Sequence, residues 1–245
     1  MCGFFFFFFL TCFVFFFFFR KDSEKWGKQE AQRCNIKELL QKVDFLDENN
    51  VIFFTPFYDK RKNQSSLNAH AGLPSQKVII FTPGWAARLC QESCVKKSDG
   101  AITDLFTFVL GHEMTHKEQH RPIFLFGSKR ICDSWLREIS SDFGGIKKSQ
   151  LSAKRVKSCL EKEILEKEGK GQLRYGTKTM LMPHPTWEYR MKCWEAGYMT
   201  KELIDQICRA CGVTDKRFCD KMKRIYAEKP SRPMKQVGWF NWRSI

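Results

Sequence analysis

Residues 109–116 read Val-Leu-Gly-His-Glu-Met-Thr-His, and this stretch decides the predicted fold. Apolar residues at three- and four-residue spacing precede it and predict a helix with one buried face. Residues four apart on a helix lie one turn above each other, so His112 and His116 can direct both imidazoles at one metal ion. The apolar residues of that face are Ile102, Leu105, Phe106 and Val109.

Glu113 directly follows the first of these histidines. The pattern H-E-x-x-H on a helix typically binds zinc through its two histidines, and its glutamate acts on a zinc-bound water without being a ligand. We therefore expect His112 and His116 to be zinc ligands and Glu113 to be a general base. The alternative is a pair of helix histidines that are only hydrogen-bonded.

A second helix is predicted from Ile131 to Phe143, ended by Gly144 and Gly145. Glu138 and Asp142 lie four residues apart on it, on a side that also carries apolar residues. The third protein ligand of such a zinc site is commonly a glutamate, and a further carboxylate often holds a ligand histidine by its other ring nitrogen. Glu138 fits the first role and Asp142 the second. The alternative is a solvent-facing acidic pair.

Two other histidines are candidates for the same site. On a continuous helix His120 would lie roughly 12 Å from His112 along the axis, too far to share an ion whose ligand bonds are near 2 Å. His184 lies between two prolines that favour an extended backbone, ahead of a helix predicted near Thr186. It can stabilise charge on a substrate, the alternative being an ordinary loop histidine.

The pattern of apolar and polar residues in the rest of the chain predicts an α+β fold that is mostly helical. We expect a small sheet to pack against the helix that carries His112 and His116. A strand is expected at each of two short apolar runs, and a C-terminal helical hairpin ends the pattern. The strand from Lys77 to Thr82 is expected to be a sheet edge to which an extended substrate adds. The predicted elements are strands Val51–Thr55 and Lys77–Thr82, a loop Asp59–Leu73, an exposed helix Lys154–Lys167, and hairpin helices Thr200–Cys211 and Thr214–Tyr226.

Residues 3–19 are almost pure phenylalanine. As a helix they span roughly 25 Å, close to the hydrocarbon core of a bilayer at about 30 Å. We expect a single membrane anchor over residues 4–19, with the basic Arg20 and Lys21 placing the rest of the chain in the cytoplasm. The alternative is a mis-assigned start codon upstream of a cytoplasmic protein, since a phenylalanine tract resembles a translated thymine tract.

Composition places the chain among globular proteins, with 43% hydrophobic and 28% charged residues in 245. Lys and Arg outnumber Asp and Glu by 42 to 27, a net charge of +15 that favours anionic partners or simply solubility. Eleven cysteines are scattered without the framework of a small disulfide-rich domain, so we expect a reducing compartment. Oligomeric state is not predicted.

Four segments, in order, resemble the zinc peptidases of the HtpX and CAAX prenyl protease type. Asn68–Ala71 is similar to that family's Asn-Ala-Phe-Ala, and Val109–His116 to its Val-Leu-Gly-His-Glu-Leu-Ala-His. Glu138–Asp142 resembles its Glu-x-x-x-Asp, and His184–Arg190 its His-Pro-x-x-x-x-Arg. The matching segments lie within half of the chain, and His70 stands where the family has phenylalanine.

This resemblance implies a zincin-like metallopeptidase domain over residues 22–190, preceded by the apolar segment 1–21 and followed by a basic helical extension, residues 191–245. It implies an enzyme that hydrolyses polypeptides as a metalloendopeptidase with one zinc ion. The implied zinc ligands are His112, His116 and Glu138, with Glu113 as base, Asp142 behind a ligand histidine, and His184 and Arg190 lining the active site.

The alternative function is that of a regulatory or nucleic-acid-binding protein with a degenerate or structural metal site. It would act through the C-terminal hairpin, whose second predicted helix is rich in basic residues. Cys208 and Cys211, with Cys219, lack the matching pair of a zinc ribbon and are read as ordinary thiols. The basic residues are Lys216, Arg217, Lys221, Lys223 and Arg224.

Overall fold

The computed structural model describes residues 21–46, 48–55, 68–71, 77–90, 100–119, 126–168 and 184–227, with the backbone alone for 162–168. These residues are mostly helical with one three-stranded sheet, as the α+β prediction requires. The predicted anchor over residues 4–19 and the histidine His120 lie outside the described residues. Within them, no helix is both long and apolar enough to cross a bilayer.

The elements of the fold follow one another in a simple order, with the sheet in the first half of the chain. Short 3₁₀ turns lie at Glu48–Asn50 and Trp194–Ala196. The helices are α1 (residues 21–33), α2 (Ile36–Gln41), α3 (Thr82–Leu89), α4 (Gly100–Glu118), α5 (Gly127–Ser149), α6 (Ala153–Glu168), α7 (Trp187–Cys193), α8 (Lys201–Ala210) and α9 (Lys216–Tyr226), and the strands are β1 (Val51–Phe54), β2 (Asn68–His70) and β3 (Val78–Phe81).

The sheet has the order β1-β3-β2, with β3 parallel to β1 and antiparallel to β2. In β1 and β3 alternate side chains are buried, as expected of strands with one face on the core. Both strands predicted from the sequence are confirmed. Their register pairs Val51 with Val78, and Asn68 with Phe81.

Two expectations about the sheet are wrong. The predicted loop Asp59–Leu73 contains a strand, because Asn68–His70 pairs with β3. The strand predicted at Lys77–Thr82 is not an edge, since β3 is hydrogen-bonded to a strand on each side. A short apolar run identifies a strand but carries no information on its place in the sheet, which depends on pairing with distant segments.

Helices α4 and α5 pack closely along much of their length, and glycines permit this approach. The prediction that the second helix ends at Gly144 and Gly145 is wrong, because α5 continues to Ser149. A Cβ on Gly145 would lie 3.0 Å from the backbone nitrogen of His112, and one on Gly144 would overlap the side chain of Thr115. The glycine pair therefore permits helix packing, and its helix-ending tendency is overridden.

The C-terminal half packs around α5 as a single apolar cluster. The two helices of the predicted hairpin are present as α8 and α9, and α8 is capped by the Thr200 hydroxyl, which accepts from the Leu203 backbone N–H. The predicted helix at Lys154–Lys167 is α6. Buried members of this cluster include Leu136, Ile139, Ile204, Ile207 and Met222. The division of the chain into domains at residue 190 stays a prediction.

A disulfide joins Cys34 to Cys90, 56 residues apart. It links the turn between α1 and α2 to the residue that follows α3, beside the sheet. The scattered spacing of the cysteines did not predict this bond, because spacing in sequence does not fix which cysteines meet in space. The other described cysteines are thiols.

Candidate metal centre

Helices α4 and α5 bring three side chains with metal-binding atoms together. His112 and His116 lie one turn apart on α4 with their Nε2 atoms 3.0 Å apart. Glu138 faces them from α5, with Oε2 3.5 Å from the His112 Nε2 and Oε1 3.3 Å from the His116 Nε2. Among the described residues, this is the one group of three such ligand atoms that all lie within 4.8 Å of one another.

The spacing of these atoms fits a single small cation. Zinc binds imidazole nitrogen and carboxylate oxygen at about 2.0–2.1 Å in a tetrahedral arrangement, which places neighbouring ligand atoms about 3.3 Å apart. The three observed separations, 3.0, 3.3 and 3.5 Å, lie on either side of that value. Two imidazoles and one carboxylate therefore form one face of a site that zinc can occupy, with the ligand types typical of catalytic zinc.

The other ring nitrogen of His112 is held by Asp142. The His112 Nδ1 lies 2.9 Å from the Asp142 Oδ1, and an ionised carboxylate can only accept a hydrogen bond. Nδ1 therefore carries the proton, and the neutral ring keeps its lone pair on Nε2, toward Glu138 and His116. Asp142 has the position behind a ligand histidine that its spacing from Glu138 predicted.

The other ring nitrogen of His116 is held by Gln119. The His116 Nδ1 lies 3.0 Å from the Gln119 Oε1, while the Gln119 Nε2 donates to the Arg137 carbonyl at 2.8 Å and to the Ser141 hydroxyl at 2.9 Å. These two bonds fix the amide orientation, so Oε1 is the acceptor and Nδ1 the donor. Gln119 was not predicted as a site residue, and its one sequence signal is the three-residue spacing from His116.

With both Nδ1 atoms donating, the lone pairs of two imidazoles converge beside a carboxylate, an arrangement that favours a positive charge. Burial lowers the pKa of His112, but hydrogen bonds to Asp142 and Glu138 outweigh it and raise the pKa to about 9. Burial raises the pKa of Glu138, yet hydrogen bonds with His112, His116 and His184 hold that pKa far below its ordinary value. The group is therefore built to hold a proton or a metal ion.

Asp142 is fully buried and accepts hydrogen bonds on both oxygens. Besides His112, it accepts from the Arg190 guanidinium, whose Nε lies 2.8 Å from Oδ2, and from the Trp194 indole at 3.2 Å. Burial alone would raise the pKa of Asp142, but the charge and hydrogen bonds of Arg190 hold it below its usual range. The carboxylate therefore stays ionised and keeps accepting from His112.

Arg190 lies behind the site. Its guanidinium is buried, contacts Asp142, stacks 3.8 Å from the ring centre of Trp187, and lies 3.7 Å from the Glu138 carboxylate. Burial lowers the pKa of Arg190, and the charges of Asp142, Glu138 and Glu113 outweigh it. The sequence predicts that Arg190 lines the active site. In the structure, Arg190 contacts the Asp142 and Glu138 carboxylates from the protein interior and holds them in place.

His184 lies on the open side of the group, and Glu113 follows His112 along α4. The His184 side chain is 64% exposed, and its Nδ1 lies 3.1 Å from the Glu138 Oε1, a contact that raises the pKa of His184. Glu113 is half-buried on α4, directly after His112, and close enough to Arg190 for its charge to act on that guanidinium. The structure thus brings together six of the residues predicted for the site: His112, His116, Glu138, Asp142, His184 and Arg190.

Comparison with known proteins adds no relative. No family model matches the chain, and no curated protein or solved structure matches it either. The case for a function therefore depends on the chemistry of the site itself.

Proposed function

We propose that this protein is a zinc-dependent metalloendopeptidase. One observation carries the proposal: the Nε2 atoms of His112 and His116 converge with the Glu138 carboxylate at zinc-ligand spacing. The hydrogen bonds from both Nδ1 atoms support it, because they turn the lone pairs of both rings toward the same point. Metal-binding histidines commonly have such partners behind them.

Zinc bound here would supply a Lewis acid that polarises a peptide carbonyl and lowers the pKa of water toward neutrality. Glu113 is outside the ligand group and half-buried beside it, so its carboxylate can take the proton of the attacking water and return it to the leaving amine. His184, exposed at the site and with a raised pKa, can donate a hydrogen bond to the oxygen on which negative charge develops.

The substrate class is a polypeptide in extended form. Within the described sheet, β2 has a strand neighbour on one side alone and packs against α4, the helix of the two histidines. An extended chain can add to such an edge by backbone hydrogen bonds. These bonds require an extended conformation of the substrate and do not depend on its side chains. The expected activity is therefore cleavage of unfolded or extended segments.

The test combines metal analysis with an unstructured protein substrate. Glu113→Gln should keep zinc at the wild-type stoichiometry and lose proteolysis by at least a hundredfold, because it removes the base and leaves the ligands. Glu118→Gln is the matched control on the same helix, since Glu118 is exposed and paired with Lys148, and it should cleave like wild type.

Three results would contradict the proposal. One is a wild-type protein that binds no zinc under conditions in which it is folded. The second is a zinc-loaded wild-type protein that cleaves no extended substrate. The third is a Glu113→Gln variant that cleaves as well as wild type.

A further inference from the structure

A second group of reactive side chains lies away from the metal centre, where the hairpin meets α5. Cys132 on α5 is fully buried, and its Sγ lies 3.6 Å from the Sγ of Cys208 on α8. Cys132 also contacts Cys211, and Cys208 contacts Cys219 on α9. The four sulfur atoms thus form a chain, Cys211–Cys132–Cys208–Cys219, with one close pair at its centre.

This geometry favours a dithiol over a metal site. A zinc ion with four thiolates holds all sulfur atoms about 3.8 Å from one another, given Zn–S bonds near 2.3 Å. Among the described residues, no three of these sulfur atoms lie within 4.8 Å of one another. The central pair, by contrast, is already in van der Waals contact, so a disulfide needs only a small movement of two side chains.

The two thiols of the pair are not equivalent. Cys132 donates its S–H to the Cys208 sulfur. That hydrogen bond lowers the pKa of Cys208 to about 7. Burial opposes this effect, and a hydrogen bond with Cys219 adds to it. The hydrogen bond with Cys208, together with one to Cys211 and with burial, raises the pKa of Cys132 far above its ordinary value. Cys208 accepts this hydrogen bond and is the sulfur better placed to carry a thiolate, whereas Cys132 donates and keeps its proton until it attacks in turn.

We propose that Cys208 and Cys132 are a peroxide-reactive pair that closes to a disulfide between α8 and α5. The Cys208 thiolate attacks one oxygen of hydrogen peroxide, the O–O bond breaks, and the departing hydroxide takes a proton to become water, leaving a sulfenic acid. The Cys132 sulfur then attacks the Cys208 sulfur, the S–O bond breaks, and the second water leaves with the Cys132 proton. Two thiols and one peroxide give one disulfide and two waters.

The burial of the pair limits which oxidants can react with it, and its location determines which helices a disulfide would join. Cys132 is 0% and Cys208 1% exposed, which excludes a bulky oxidant such as glutathione disulfide and leaves a small one such as hydrogen peroxide. Cys211, half-exposed and in contact with Cys132, lies on the solvent side of the chain of thiols. Helix α5 also carries Glu138 and Asp142, so the bond anchors the hairpin to the helix that completes the metal centre.

The test is peroxide treatment of the reduced full-length chain, followed by intact mass and peptide mapping. Wild type should lose two hydrogens beyond those lost as Cys34–Cys90 closes again, and it should give a cross-linked peptide pair containing Cys132 and Cys208, reversed by dithiothreitol. Cys132→Ser should instead accumulate a sulfenic acid at Cys208 that dimedone traps. Cys208→Ser should give neither product. The matched control is Cys159→Ser, which removes a buried thiol on α6 and should still form the cross-link.

A cross-link of Cys132 to Cys211, or of Cys208 to Cys219, in place of the central pair would overturn the proposal. A Cys208 that stays reduced while exposed thiols oxidise would do the same. If a serine variant fails to fold, the mapping of wild type still decides, because it requires no substitution. The outcome is independent of zinc, since neither cysteine contacts the metal centre in the described structure.

Discussion

The Nε2 atoms of His112 and His116 lie 3.0 Å apart, and the opposite nitrogen of each ring is held by a different acceptor. His112 is held by a charged partner, Asp142, and His116 by a neutral one, Gln119. Because both Nδ1 atoms donate, the two rings present lone pairs to one point. The acceptors behind the rings therefore determine whether this pair is a metal site.

Replacing Asp142 with asparagine should weaken zinc binding about 10- to 100-fold, because the amide cannot hold His112 with a full negative charge. It should also lower the free energy of unfolding by about 3 kcal/mol, since the buried Arg190 loses the closer of its two carboxylate partners. Zinc affinity by chelator competition and denaturant unfolding measure the two effects.

The control for this variant is Asp104→Asn. Asp104 pairs with Arg155 near the surface, and exposed pairs contribute about 0–1 kcal/mol. Zinc affinity should be unchanged in Asp104→Asn. Equal losses of zinc affinity in Asp142→Asn and Asp104→Asn would mean that Asp142 has no special role at the metal centre.

Replacing Gln119 with leucine should lower zinc affinity about tenfold or more, because the His116 Nδ1 loses its acceptor and the ring can turn. Gln119→Glu keeps an oxygen facing that nitrogen but loses the hydrogen bonds that the amide donates to Arg137 and Ser141, so its zinc affinity should lie between those of wild type and Gln119→Leu. If glutamate and leucine weaken binding equally, Gln119 contributes packing rather than orientation. Chelator competition measures both variants.

The metal-free protein should lose stability as pH rises. The pKa of His112 is raised to about 9, above its ordinary value of about 6.5. Its stabilisation is therefore complete below about pH 6.5 and is lost as pH rises through about 9, an effect of about 3 kcal/mol. Zinc affinity should change in the opposite direction, because the same proton competes with the metal.

Denaturant unfolding of chelator-treated protein, at several pH values from about 6 to about 10, measures the slope of the unfolding free energy against pH. In Asp142→Asn the slope should be shallower, because the carboxylate that helps raise the pKa of His112 is gone. A wild-type stability that is flat or rising over this range contradicts the assignment.

Replacing Gly145 with alanine should destabilise the protein by about 1–3 kcal/mol, because the new methyl group meets the backbone of α4. A Cβ there would lie 3.0 Å from the His112 nitrogen and the Phe108 carbonyl oxygen, which cannot move without shifting the helix. Zinc affinity should fall as well, since α4 carries two ligands and α5 the third. Thermal unfolding and chelator competition measure both effects.

Gly100→Ala is the matched control for this helix pair. A Cβ at Gly100 would meet only the end of Arg155, at 3.7 Å. It should leave stability and zinc affinity unchanged or slightly improved, because alanine favours a helix over glycine. A larger loss at Gly100 than at Gly145 would contradict the close approach of α4 and α5.

The sequence by itself determined the local part of the site. The four-residue spacing of His112 and His116, and of Glu138 and Asp142, places each pair on one helix face, because helix geometry follows from spacing alone. Short apolar runs likewise predicted strands at Val51–Thr55 and Lys77–Thr82, and strands lie at residues 51–54 and 78–81. These features depend on interactions between near neighbours in the chain.

Only the tertiary structure decided the features that depend on distant segments. It placed β3 at the centre of the sheet, carried α5 through Gly144 and Gly145, paired Cys132 with Cys208, and put Gln119 behind His116. Each of these depends on packing between segments, and packing free energy can outweigh local propensities of about 1 kcal/mol. The residue types of the candidate metal centre could therefore be predicted from local spacing, and the meeting of His112, His116 and Glu138 at one point could not.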